Sequence, residues 1–202
     1  MSDATSRVRL HERLRDKLPE ILIEAGSVVL ALLLAFAVNE WRERRQEEER
    51  AAVARDAILR ELRANAAEIE TTRTALKPIL ASLHGALDEK QPEPHELKVD
   101  LGLSLLSAAA WHAALATQAS QRIDFDWTTR VAKVYELQDT FLHVQDAAVD
   151  QLAALPPGGD AGGRRIAAAL LPRFNALAQL ADSLAATYVD IAGTSPIQDA
   201  AH

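Results

Sequence analysis

The stretch that decides the fold is Ile21–Val38, ILIEAGSVVLALLLAFAV, which is followed directly by NEWR at 39–42. Its 18 residues contain one charged side chain, that of Glu24. As an α-helix the stretch extends about 27 Å, close to the roughly 30 Å hydrocarbon core of a bilayer. The sequence therefore predicts a transmembrane helix, which we assign to residues 19–40.

The same stretch has an alternative interpretation as a cleaved secretory signal, because Ala35-Phe36-Ala37 supplies an A-x-A cleavage pattern. Against this, the preceding region contains acidic as well as basic residues, and the apolar run is longer than a signal core. Trp41 also lies where interfacial aromatic residues anchor a span. No second run of comparable length follows, so we expect an uncleaved anchor that crosses the membrane once.

The orientation of the span is not decided by charge. Counting Lys and Arg near the span, five precede it and five follow it, namely Arg7, Arg9, Arg13, Arg15 and Lys17, then Arg42, Arg44, Arg45, Arg50 and Arg55. The positive-inside rule therefore gives a tie. An anchor with a short leading segment more often keeps its N terminus in the cytoplasm, so we expect a periplasmic rather than a cytoplasmic C-terminal part in a bacterial inner membrane.

One face of the predicted span has a repeat of small and polar residues at spacings of three and four, formed by Glu24, Ser27, Ala31, Ala35 and Asn39. Small residues at this spacing let two membrane helices approach closely, and a polar side chain can bond across the contact. We expect self-association along this face, and hence a homo-oligomer. The alternative is that Glu24 simply reaches water near the interface and that alanine is common in this chain.

Beyond the span, the sequence is typical of soluble helices. No glycine occurs between Gly26 and Gly85 and no proline between Pro19 and Pro78, which predicts one unbroken helix up to Pro78, where the proline ends or kinks it. Residues 78–87 are expected to continue as helix after a kink. An apolar stripe runs from Ile58 to Leu76. If the residues of this helix are assigned to heptads, Arg55, Asn65 and Thr72 fall at core positions. Polar residues at core positions disfavour a coiled coil, so the pattern predicts a helix of a bundle.

Three more helices are expected. The first begins at about Glu96, or at Leu101 with Asp100 as its cap, and runs to about Gln121; the others cover 127–155, capped by Asp126, and 164–191, kinked at Pro172. Loops are predicted at 88–95 and 156–163. The predicted fold class is all-α, a single N-terminal transmembrane helix continuing into a long stalk helix and an antiparallel bundle.

These patterns divide the chain into five parts. They are a basic amphipathic leader at 1–18, the transmembrane helix at 19–40, a charged helical stalk at 41–57, a helical bundle at 58–192 and a disordered tail at 193–202. The leader helix either lies on an anionic leaflet or is frayed, and both interpretations stay open.

Composition and motifs argue against catalysis. The chain has 202 residues, a net charge of -7 and no cysteine, which disfavours nucleic acid as a partner and excludes thiolate chemistry. His143 has metal-ligand spacing with Asp139 and Asp146, but no second Glu-x-x-His motif accompanies it. Serines lack a G-x-S-x-G context. We expect no enzyme activity, no metal and no cofactor.

Trp111, Tyr135 and Gln138 are the candidate ligand-binding residues. If the chain folds back near residue 124, these side chains come together between two helices. Polar groups on such a face need partners across the hairpin. They form either a ligand pocket or a hydrogen-bonded core network that fixes the helix register.

Two sets of residues carry a family resemblance. The first is Glu20-Ile21-Leu22, Gly26, LLLA at 32–35 and Trp41, followed by RELRAN at 60–65; the second is Ala110-Trp111, Ala114, Thr117, Asp124-Phe125, Tyr135 and Gln138. With these motifs the chain resembles a family of bacterial single-pass membrane proteins known only as a domain of unknown function. The resemblance implies an inner-membrane protein with an α-helical domain, and it implies no activity.

From the sequence we expect a membrane-anchored helical interaction or scaffold protein, whose partners are the lipid bilayer, a second copy and a further protein. The alternative is a membrane-tethered sensor or small-ligand-binding bundle.

Overall fold

The structure, a computed structural model, describes residues 3–90, 99, 101–154 and 162–193, with side chains from residue 22 onward. Within these residues the chain is helical, and the all-α prediction is confirmed. The elements are α1 (Asp3–Leu87), α2 (Ala109–Ala116), a short 3-10 helix (Ala119–Arg122), α3 (Phe125–Ala153) and α4 (Gly163–Gly193). The predictions for residues 91–98, for the Asp100 cap, for residues 156–161 of the loop predicted at 156–163 and for residues 194–202 lie outside the described residues, whereas Gly163 belongs to α4 and not to the loop.

Helix α1 continues past Pro78 to Leu87, so the prediction that residues 78–87 stay helical is confirmed. Pro78 is exposed, whereas Ile79 and Leu83 beyond it are buried in the core. A proline removes one helical hydrogen bond, and the burial of the following apolar residues offsets that loss. The helix therefore survives its proline because its far end is packed.

Contacts divide the chain into two compact units, residues 1–49 and residues 50–202, with a boundary inside the predicted stalk. In the first unit, α1 is long and apolar enough to cross a membrane. None of its most apolar 18-residue window is buried, and Leu30 and Phe36 are 58% and 70% exposed. A core helix of a soluble protein would bury such a surface.

The second unit is a bundle whose four arms alternate in direction. Its arms are α1 from Arg50 onward, residues 101–116, α3 and α4. Hydrogen bonds show the directions: Glu61 and Asn65 of α1 contact Tyr135 and Gln138 of α3 in parallel order. Gln151 and Gln138 of α3 contact Ala169 and Tyr188 of α4 in reverse order. The predicted antiparallel bundle is therefore present.

The arms enclose one apolar core. The side chains that are essentially inaccessible to water include Ile58, Leu62, Ile69, Leu76 and Leu83 of α1, Val131, Val134 and Phe141 of α3, and Leu170, Phe174, Leu177, Leu184 and Tyr188 of α4. Residues at these helical spacings line one face of each helix, so their burial is the main source of stability of the bundle.

The second arm departs from prediction. Within residues 101–121 of the helix expected from about residue 96 or 101, the structure has α2 and the 3-10 helix, and residues 101–108 have no regular secondary structure. Gly102, Ser104 and Ser107 are poor helix formers. Side chains from α1 and α3 satisfy their main-chain groups instead, as described below.

The start of α3 also differs from prediction. Asp124, not Asp126, is its N-cap, because the carboxylate of Asp124 accepts a hydrogen bond of 2.8 Å from the Trp127 amide. Asp126 lies in the first helical turn, where a negative charge suits the helix dipole.

Candidate functional site, an amide-lined groove between α1 and α3

Buried polar side chains line the groove between α1 and α3. We call it the amide-lined groove, and it is formed by Asn65 and Thr72 of α1 and by Gln138 and Gln145 of α3. On each helix the two residues are seven apart, about two turns or 10.5 Å. They therefore form two layers, and in each layer α1 and α3 both contribute one side chain.

The docked segment, residues 101–108, lies in this groove. In the first layer, the Gln145 amide accepts a hydrogen bond of 2.9 Å from the Ser104 N–H and donates one of 3.3 Å to the Ser104 carbonyl. The hydroxyl groups of Thr72 and Ser104 are hydrogen-bonded to each other, and Thr72 also donates to the Glu68 carbonyl at 3.0 Å. One glutamine thus holds both main-chain groups of Ser104.

In the second layer the same arrangement holds Ser107, which lies three residues after Ser104 in the segment. Asn65 accepts from the Ser107 N–H at 3.0 Å and donates to the Ser107 carbonyl at 2.7 Å. Gln138 donates to the same carbonyl at 3.1 Å. Its own oxygen accepts hydrogen bonds of 3.0 Å from Asn65 and 2.8 Å from the Tyr188 hydroxyl. The layer is a closed network in which each of these side chains has a partner.

The spacing of the layers shows that the segment is extended. From Ser104 to Ser107 the chain advances three residues while each flanking helix advances seven, or about 10.5 Å. Three residues span that distance only when the chain is nearly fully stretched, at about 3.3–3.6 Å per residue. The groove therefore recognises the main chain of an extended segment.

Glu61 holds the junction between the docked segment and α2. Its carboxylate accepts hydrogen bonds from the Ser107 hydroxyl at 2.6 Å, the Ala110 N–H at 3.0 Å and the Tyr135 hydroxyl at 2.7 Å. Helix α2 has no side-chain N-cap of its own, since Ala108 occupies that position. A carboxylate from another helix satisfies its first amides instead.

Two opposing effects act on the pKa of Glu61 at this junction. Burial would raise the pKa of Glu61, but hydrogen bonds from Ser107, Ala110, Tyr135 and the Trp111 amide together lower it below its usual value of 4.5. Burial raises the pKa of Tyr135, and the neighbouring Glu61 carboxylate raises it further. Burial also raises the pKa of Tyr188. Both phenols therefore stay protonated and act as hydrogen-bond donors.

The three candidate ligand-binding residues lie in or beside this network. The rings of Trp111 and Tyr135 are stacked, with centroids 5.5 Å apart and planes inclined by 11°. Gln138 is 2% exposed and bonded to three other groups of the protein. These contacts favour the interpretation as a core network over that as a ligand pocket, and the ligand-binding role stays a prediction.

The five residues of the predicted membrane seam are all exposed in the described structure. The Ser27 hydroxyl donates to the Glu24 carbonyl at 2.7 Å, and the Asn39 amide donates to the Glu43 carboxylate at 2.8 Å. Ala31 and Ala35 lie on the same helix at the spacing of one turn. The face is thus accessible to a second helix, and its self-association stays a prediction.

His143 lies on the exposed side of α3, where its Nδ1 is 3.5 Å from the Asp139 carboxylate. The Asp139 carbonyl, at 2.8 Å, and the charges of Asp139 and Asp146 raise the pKa of His143. In the part of the chain that the structure describes, no group of three or more His, Asp or Glu side chains is arranged to hold a metal ion.

Sequence reasoning placed Gln138 in a possible hydrogen-bonded core network but did not predict the contribution of α1, although the signal was present. Arg55, Asn65 and Thr72 are the three residues that spoil the heptad pattern of α1. In the structure Arg55 lies over the Trp127 ring at 4.9 Å, while Asn65 and Thr72 hold Ser107 and Ser104. Polar residues at core positions thus marked the places where α1 contacts something other than an apolar helix.

Glu61→Gln tests the junction through its pH dependence. Because the folded pKa of Glu61 is lowered, its stabilising effect is complete above the unfolded value of 4.5 and is lost as the pH falls through the lower folded value. We expect Glu61→Gln to reduce the free energy of unfolding by about 1–2 kcal/mol at neutral pH, and the difference to shrink towards pH 3.

Urea unfolding in detergent at several pH values measures this difference, with Glu136→Gln on the exposed side of α3 as the control. A difference between Glu61→Gln and the wild type that is independent of pH would contradict the proposed role of the charge.

Comparison with known proteins identified no relative of this chain. No family model, no curated protein and no solved structure matches the chain, so the family resemblance drawn from its motifs stays a prediction.

Proposed function

We propose that this chain is a membrane-anchored helical interaction or scaffold protein that self-associates and carries out no catalysis. The observation that carries the proposal is the contrast between its two units. The apolar window of α1 is wholly unburied, whereas residues 50–202 have a complete core of their own. A helix of this length with such a surface requires a bilayer or other apolar cover.

The bundle supports an interaction role rather than chemistry. Its most elaborate polar cluster, the amide-lined groove, holds a segment of the chain itself, and its groups are bonded to one another. Catalytic groups must lie within hydrogen-bond reach of a substrate. The groove instead positions the second arm of the bundle.

The apolar window of α1 supports a location in a membrane. We propose a bacterial inner membrane, as the family resemblance implies, with the bundle in the periplasm. Reporter fusions at residues 3 and 202 test the orientation: an exported C-terminal reporter is expected, and a cytoplasmic one would overturn this placement.

Self-association through the seam is tested by changing its small residues. In mild detergent, two differently tagged copies are expected to copurify. Ala31→Leu combined with Ala35→Leu is expected to abolish copurification, because the larger side chains prevent close approach of the two helices. Val29→Leu, on another face of α1, is the matched control. A strictly monomeric wild type would refute self-association.

A specific observation favours the alternative function, a tethered ligand-binding bundle. A pocket of about 480 Å³, largely open to solvent, lies between α3 and α4 and is lined in part by His143, Val144, Gln151, Pro172 and Arg173. Its size is in the range of small-molecule sites. A thermal-shift screen of small organic anions tests this alternative. A shift that Ala147→Leu abolishes by filling the pocket would support ligand binding, and the absence of any shift would favour the interaction protein.

A further inference from the structure

The pocket between α3 and α4 exists because small side chains face each other across the two helices. The helices run in opposite directions, and the Gln151 amide donates a hydrogen bond of 2.9 Å to the Ala169 carbonyl. One turn further along each helix, Ala147 therefore lies opposite Arg173. The alanine side chains do not reach across the gap, so a space of about 480 Å³ remains.

The walls of this pocket are mostly apolar. They are supplied by Val144 and Ala147 of α3 and by Ala169, Pro172 and Ala176 of α4. These side chains offer no hydrogen bond to a ligand, and burying hydrocarbon against them is favourable. The walls therefore suit the apolar part of a small molecule.

Basic side chains line the same pocket. Among the residues that the structure describes, its lining includes Arg173 and His143 and no carboxylate. Arg173 is partly buried, and within that part of the chain no Asp or Glu forms a salt bridge with it, whereas Arg73 contacts Asp182 at 2.6 Å. Partial burial removes some of the hydration of the guanidinium, so a carboxylate that binds it in bidentate geometry would be stabilised.

His143 attracts an anion less strongly than Arg173 does. Its Nδ1 lies 2.8 Å from the Asp139 carbonyl and 3.5 Å from the Asp139 carboxylate. These contacts leave Nε2 as the ring nitrogen for a ligand, but the charges of Asp139 and Asp146 offset that of the protonated ring. Arg173 is therefore the main contact for an anion, and His143 supplies a further hydrogen bond.

We propose that this pocket binds a small organic carboxylate, with its charged group on the Arg173 guanidinium and its hydrocarbon group against the alanines and Pro172. An apolar wall beside a guanidinium matches a ligand that has one charged and one apolar end. The inference rests on the alternative function, a ligand-binding bundle, and names the ligand class of its pocket. It does not depend on self-association.

Calorimetric titration of the full chain in a non-ionic detergent tests the proposal. The probes are benzoate and hexanoate, each compared with its neutral amide, which has nearly the same shape and no charge. We expect each carboxylate to bind about tenfold more tightly than its amide, because charge-assisted hydrogen bonds are stronger than neutral ones. Equal affinities for the acid and the amide would overturn the proposal.

Substitution of Arg173 tests the assignment of the charged group. Arg173→Gln is expected to weaken benzoate binding about tenfold, and Arg173→Lys, which keeps the charge without the bidentate geometry, to recover part of the loss. Arg165→Gln, at an exposed position of α4 outside the pocket, is the matched control. A folded Arg173→Gln protein that binds benzoate like the wild type contradicts the proposal. The comparison of acid and amide needs no variant, so it stays decisive if a variant does not fold.

Failure of this inference can be told apart from failure of the alternative function. If acid and amide bind equally well and Ala147→Leu abolishes both, the pocket binds ligands but does not select carboxylates. If none of the four compounds binds, the proposal fails, and the thermal-shift screen still tests ligand binding as such. Copurification of tagged copies is scored separately and is expected to be the same for all these variants.

Discussion

Leu30→Arg combined with Leu33→Arg is expected to abolish integration of the protein into the membrane. Both side chains lie in the apolar window of α1 and are 58% and 60% exposed, so neither has a role in a protein core. An arginine near the centre of a span costs about 2.5–3.5 kcal/mol, so the pair costs about 5–7 kcal/mol. The measurement is the fraction of protein that resists alkaline extraction from membranes.

The control for this variant lies on the same helix outside the apolar window. Ala52→Arg combined with Val53→Arg introduces the same charges at two exposed positions of the second unit. We expect it to leave integration unchanged. Equal extraction of both double variants would show that α1 is not the anchor.

Gln138→Leu is expected to lower the free energy of unfolding by about 2–4 kcal/mol. The leucine fits the volume but accepts no hydrogen bond. It therefore leaves the Tyr188 hydroxyl, which is 0% exposed, and one N–H of Asn65 without their acceptor. An unsatisfied buried donor costs about 1–3 kcal/mol, so the two together account for the loss.

The double variant Gln138→Leu with Tyr188→Phe separates this cost from a loss of packing. Removing the hydroxyl removes one of the two orphaned donors, so we expect the double variant to recover about 1–2 kcal/mol relative to Gln138→Leu. Chemical denaturation in detergent measures both, with Gln179→Leu on the exposed face of α4 as a control. Strictly additive effects of the two substitutions would show that no bond couples them.

Much of the fold could be predicted from the pattern of apolar residues. The period of the stripe from Ile58 to Leu76 predicts the buried face of α1, and Pro156-Pro157 with the glycines after it predicts a break between two helices. The unburied apolar window was predicted as a span because length and hydropathy alone define such a segment. These properties are local, so each can be predicted from the residues of a single helix or loop.

The second arm was mispredicted because its conformation is not a local property. Residues 101–108 include four leucines and one alanine, which favour helix, beside one glycine and two serines, which favour it less, so local propensity does not decide their conformation. What keeps them extended is a set of side chains distant in sequence, such as Asn65 and Gln145, which satisfy their main-chain groups as well as helical hydrogen bonds would.

The sequence by itself determined the membrane-spanning candidate, the all-α class and the order of the helices, because hydrophobic period and helix breakers act over a few turns. Tertiary structure alone decided the amide-lined groove and the hydrogen bond that the Ala110 amide, in the first turn of α2, donates to the Glu61 carboxylate. Both depend on a side chain meeting a backbone group more than 40 residues away, at hydrogen-bond distance. Only the packing of α1 against α3 and the second arm fixes such distances.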